Sequence, residues 1–82
     1  MERQFSPLFR TNEGKVIQFF TIIKDGEEFG LIAVDHTEYP SATAYLQRQD
    51  EYRDLRFDYV RTAYLDEIPE DLRPATREDI SK

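Results

Sequence analysis

The sequence contains no cysteine. That excludes a disulfide framework and any thiolate ligand or nucleophile, and it fits a reducing, cytoplasmic setting. Histidine occurs once, as His36 within Asp35-His36-Thr37-Glu38. A metal centre needs several converging ligands and a catalytic histidine needs a partner nucleophile. Neither spacing is present, so His36 is expected to be a solvated residue at a strand end. No catalytic, metal-binding or cofactor-binding residue is expected anywhere in the chain. No apolar run approaches the length of a membrane span. Glu2 and Arg3 lead straight into mixed sequence, so no signal peptide is expected.

Glycine and proline are scarce, at three and four residues. Turns are therefore few and identifiable. The 82 residues are expected to form a single domain over 1–82. A chain of this size buries only roughly 60–65 % of its unfolded surface, so its stability is expected to be modest. The formal net charge is −6, spread along the chain rather than blocked. Nucleic-acid affinity comes from Lys and Arg neutralising phosphates, so direct nucleic-acid binding is not expected. An acidic chain can instead act as a ligand for a basic protein.

The most hydrophobic stretch is Val16 to Asp35. It reads as two β-rich runs around Asp25-Gly26, a dipeptide that favours a two-residue hairpin turn with positive φ. A plain register from that turn sets Lys24 opposite Glu27. It also sets Ile22 against Phe29 and Phe20 against Leu31 on one face, with Phe19 against Ile32 and Ile17 against Val34 on the other. Both faces are apolar, unlike a strand with one wet side. Phe20 and Leu31 are expected to pair under a covering helix.

Upstream, residues 4–10 read as a short strand. Pro7 cannot donate to a ladder and so places it at a sheet edge. Thr11 to Lys15 is a turn by composition. The expected fold is α+β: a three-stranded antiparallel meander packed against one long helix, followed by an acidic C-terminal tail over 69–82.

From Ser41 to Glu67 there is no Gly, Pro or Asn, and the helix is read within it over 42–65. Ala42, Tyr45, Leu46, Gln49, Tyr52, Tyr59, Val60, Ala63 and Tyr64 share one side of a helical wheel. Ser41 or Thr37 can cap its start. A helix over 42–65 would be roughly 36 Å long. A β-β-β-α-β arrangement competes with it. There the helix stops near Asp54 and the β-formers of 56–65 make a fourth strand. Arg56 inside the apolar face favours that alternative; the missing glycine cap at a helix–strand junction argues against it.

Three groups of residues are candidate partner contacts. Asp50, Glu51, Asp54 and Asp58 form an acidic helix face. Tyr45, Tyr52 and Tyr59 recur every seven residues, either as cover for the sheet or as an interface stripe. Phe19, Ile32 and Val34 occupy the sheet face that a single helix leaves open, which favours a homodimer or a complex. The expected function is a non-enzymatic module that binds another protein and blocks or adjusts it. The sheet edge Phe29–Asp35 offers a further contact by strand addition. The alternative is a phage-type inhibitor, anti-CRISPR-like, whose acidic surface mimics nucleic acid and fills the groove of a basic nucleic-acid-binding protein. A small enzyme is the remaining class.

Overall fold

The computed structural model describes residues 3–73. The chain is α+β. Strands β1 (Phe9–Arg10), β2 (Val16–Lys24) and β3 (Glu27–Asp35) form the antiparallel meander. Helices α1 (Ala42–Arg48) and α2 (Asp50–Arg53) follow, then strand β4 (Tyr59–Thr62) and two 3-10 turns, Leu65–Glu67 and Glu70–Leu72. β2 is the central strand. One of its edges carries β3; the other is shared end to end by β1 beside Val16–Ile17 and β4 beside Phe20–Ile23.

The hairpin turn is the one its sequence demands. Asp25 and Gly26 have φ of 54° and 79°, the left-handed pair that matches strand twist. The Gly26 N–H donates to Asp58 Oδ2 at 3.0 Å, tying the turn to the entry of β4. A side chain at 26 would meet no neighbour, so any cost there is conformational. Gly26→Ala is therefore expected to lose about 1–2 kcal/mol in urea unfolding, without loss of the fold.

Beyond the turn the register departs from the plain hairpin. Lys24 faces Glu27 and Ile23 faces Glu28, but Ile22 then faces Gly30. Phe29 is the extra residue of a β-bulge. Every later pair is shifted by one: Phe20 faces Ile32, Phe19 faces Ala33 and Ile17 faces Asp35. A one-residue shift exchanges the faces of a strand. Ile32 and Val34 join Phe20 and Ile22 on one side, while Leu31 moves to the other with Phe19. Phe20 and Leu31 therefore do not pair. The bulge puts Ile22, Ile32 and Val34 under the helices and moves the Phe29 ring out to solvent, where it is 52 % exposed.

The expected helix over 42–65 gives way to the fourth strand. Ser41 caps α1, its Oγ accepting from the Ala44 N–H at 3.1 Å. The helix breaks at Gln49, which is extended (φ −98°, ψ 124°), resumes for one turn, and ends at Asp54 with φ −100°. That cap needs no positive φ, so the missing glycine was no obstacle. β4 then pairs with β2 through Val60 opposite Ile22 and Thr62 opposite Phe20. Arg56, which would have sat in the apolar face of a longer helix, is exposed.

Both faces of the sheet are covered by the chain itself. Ile22, Ile32 and Val34 pack with Ala42 and Leu46, flanked by Tyr39, Tyr45, Tyr52 and Leu55. Phe19 packs with Ala63 and Ile68, flanked by Phe9, Ile17, Leu31 and Leu65. The second cluster depends on the 3-10 segment after β4. Of the expected tail over 69–82, residues 70–72 form a 3-10 turn. Arg73 folds back to donate to the carbonyls of Leu65 and Ile68. Residues 74–82 lie outside the described residues. Among the described residues no helix is long and apolar enough to cross a membrane.

Candidate partner-binding site

The outer edge of β3 carries unpaired backbone groups. The His36 N–H donates to the Val16 carbonyl at 2.8 Å. Antiparallel alternation carries that inward bonding to Val34, Ile32 and Gly30. The N–H and C=O groups of Leu31 and Ala33 consequently point away from β2. No described residue bonds to them. The Asp35 carbonyl at the end of the edge accepts from the N–H groups of Glu38 and Tyr39, both at 3.0 Å, which closes the strand there. The bulge at Phe29 bounds the other end. Between them the edge carries no proline and no charge.

Beside this edge lies an open cleft of about 350 Å³, lined by Thr21, Glu28, Phe29, Gly30, Leu31 and Glu67. Four elements build it. The bulge holds Glu28 and Phe29, and β2 holds Thr21. The 3-10 turn Leu65–Glu67 swings Glu67 back over the sheet. β4 supplies Arg61, which stands behind the wall.

Glu67 and Arg61 each make four side-chain hydrogen bonds among the described residues. Glu67 accepts both Nη atoms of Arg61 at 3.0–3.1 Å, Thr21 Oγ1 at 3.1 Å and the Tyr64 N–H at 2.8 Å. The Arg61 guanidinium, then the Tyr64 N–H and the contacts with Glu28 and Thr21, hold its carboxyl down at about 2 despite burial. Glu28 moves the other way. Its hydrogen bond with Glu67 and the repulsion between the two charges raise it, while Arg61 Nη2 at 3.1 Å opposes that rise. Arg3 extends the network, pairing with Asp66 at 2.8 Å and stacking 3.9 Å from the Tyr64 ring centre. Arg61 lies 4.7 Å from the same ring, and Phe5 stacks on it at 4.8 Å.

Two carboxyls with opposed shifts resemble the starting point of acid–base chemistry. Here the raised one, Glu28, is exposed to water, and the lowered one is spent on four donors. The group fits structural bracing and recognition better than proton transfer. His36 is also accounted for. It is half-buried rather than solvated, with Nε2 3.0 Å from Gln18 Oε1 and its ring edge-on to Phe20. Among the described residues no His, Cys, Asp and Glu side chains converge as a metal-binding group.

The candidate contacts read from the sequence are dispersed. Phe19, Ile32 and Val34 are interior, at 4 %, 5 % and 0 % exposed. The plain register sets them on one open face; in the structure Phe19 lies against Ala63 and Ile68, and the bulge turns Ile32 and Val34 to the opposite face beneath the helices. Tyr45 and Tyr52 pack on the core under α1 and α2, and burial raises the Tyr45 hydroxyl above its ordinary value. Tyr59 sits on β4 and is exposed, so the seven-residue stripe is not one surface. Asp50, Glu51 and Asp54 are exposed around α2, where Asp50 pairs with Arg53 at 3.2 Å. Asp58 belongs to the hairpin end instead, bound to Gly26. The cluster of Glu28, Arg61, Glu67 and Arg3 was missed. These residues meet only through β4 and the 3-10 turn, and no local spacing links them. The chain matches no family model, no curated protein and no solved structure in the comparisons made with each.

Proposed function

We propose that this chain is a non-enzymatic interaction domain that binds another protein by strand addition and thereby blocks or adjusts it. The outward backbone groups of Leu31 and Ala33 carry this reading. An extended segment laid along β3 would pair them, as in other sheet-edge recognition. Natural sheets usually guard such edges with lysine, proline or a bulge. Here the bulge guards one end and leaves Leu31–Val34 available. The net charge of −6 weighs against nucleic acid as the direct partner.

Nucleic-acid mimicry has weaker support. Asp58 is engaged with the hairpin turn, and Asp50 with Arg53. Arg48, Arg53 and Arg56 are exposed on the same stretch and dilute its charge.

Ala33→Pro tests strand addition. The Ala33 N–H points outward, and proline is tolerated on an edge strand at such a position. The variant is expected to melt within about 5 °C of the unaltered chain, a change of roughly 1 kcal/mol. It is also expected to lose a partner captured from source cells by the full chain. Capture that survives the substitution would remove the β3 edge from the interface.

A further inference from the structure

Resting on that reading, we infer that the segment added to β3 is one that presents a lysine or arginine side chain to the cleft between Glu28 and Glu67. The geometry of the edge directs side chains there. Leu31 and Ala33 bond outward, and their side chains lie on the face of β2 that carries Phe19 and Thr21. A strand paired with them must place alternate residues on that same face. The cleft opens on that face, immediately beside Leu31.

The wall of the cleft selects the charge. Both of its charged side chains, Glu28 and Glu67, are carboxylates. Arg61 bonds Glu67 through both Nη atoms, whereas Glu28 meets only the shared Nη2 and its side chain is 60 % exposed. An incoming cation would give Glu28 a partner of its own and relieve its repulsion with Glu67. The exposed Phe29 ring offers a bed for the aliphatic stem of such a side chain and a π face for its head. Lys24 already lies 6.0 Å from that ring centre.

Charge also argues against a second copy of the chain as the occupant. β3 carries Glu27, Glu28 and Asp35 and no cation. A second copy laid along Leu31–Val34 would bring only β3 residues to the cleft, none of them a cation able to pair with Glu28.

The test uses the full chain and three valine–threonine heptapeptides with lysine, leucine or glutamate at the centre. Binding is followed through the backbone amide signals of Leu31 and Ala33 at low salt. The lysine peptide is expected to shift both signals and to bind about tenfold more tightly than the glutamate peptide, the worth of one charge-assisted hydrogen bond. Glu28→Gln is expected to bring the two affinities together while the Leu31 and Ala33 shifts remain. Equal binding of all three peptides to the unaltered chain would overturn the basic-side-chain inference and leave strand addition standing. Peptides that bind without moving Leu31 and Ala33, or that bind Ala33→Pro equally well, would overturn strand addition itself. Failure of every peptide, with Leu31 and Ala33 signals that shift with protein concentration alone, would assign the edge to a second copy and overturn the inference.

Discussion

Ile22→Ala is expected to lower the melting temperature by more than about 10 °C, from a loss of roughly 2–5 kcal/mol. Ile22 is wholly buried at the middle of the central strand. It faces Gly30 across one edge and Val60 across the other, and it packs against Ile32, Val34 and Leu46 beneath the helices. Gly30 has no side chain that can move in to fill the space. The cavity would therefore persist, and persistence sets the upper end of the cost. A domain of this size has few kilocalories to lose. Leu31→Ala is the matched control. Leu31 lies on the opposite face, half-buried at the sheet edge. Its loss is expected to be clearly smaller, because partly exposed side chains leave no closed void. The plain hairpin register would set Leu31 opposite Phe20 on the same covered face as Ile22 and so predicts comparable losses. Thermal unfolding followed by far-UV circular dichroism decides between them. An effect at Leu31 as large as that at Ile22 would mean that the bulge at Phe29 is absent.

Local chemistry made part of this fold legible. Asp25-Gly26 specified its own turn, because few residues accept two successive positive φ values. Ser41 announced the start of α1, because its hydroxyl satisfies an orphan N–H. Of the expected strand over 4–10 only Phe9–Arg10 pairs with β2; Pro7 lies before it, and Phe5 makes a single bridge to Tyr64. The bulge was not legible. Its driving force is the fit of Ile32 and Val34 under helices whose position no local pattern gives. The fate of 56–65 was ambiguous for a similar reason. Val60 suits either a helix face or a strand, and pairing with β2 settles it. The plain register sets Phe19, Ile32 and Val34 on one face, which reads as a surface in need of a partner. With the bulge and the fourth strand in place, the helices cover one face and the 3-10 segment after β4 covers the other, and open valence remains on the backbone of Leu31 and Ala33. The acidic groups followed the same logic. Glu67 reads as one charge among many in sequence, and becomes the hub of a network only when the 3-10 turn carries it back over Thr21 and Arg61.

Glu67→Gln is expected to cost on the order of 2–3 kcal/mol near neutral pH, and progressively less as the solution is acidified. The side chain is 13 % exposed, so solvent screens its bonds little. Glutamine keeps the shape and one acceptor oxygen, so the loss isolates the charge that Arg61 and the Tyr64 N–H use. The sign follows from the lowered pKa. In the unfolded chain Glu67 takes up its proton near 4.5, and in the folded chain only near 2. Between those values the unfolded state binds more protons, so acidification favours unfolding. The stabilisation is therefore complete above about pH 5 and gone below about pH 2. Glu28 contributes the opposite sign. Its raised pKa favours the folded state in acid and is lost as the pH rises through the folded value, which opposes the trend weakly at a fully hydrated site. Asp66 and Asp35, both lowered, act in the same sense as Glu67 in either protein and cancel in the comparison. Urea midpoints of the unaltered chain and of Glu67→Gln, taken from pH 7 down to pH 2.5, are thus expected to converge. A gap that stays constant across that range would show that the glutamine strains the site sterically. No gap at neutral pH would show that the network around Arg61 holds nothing together.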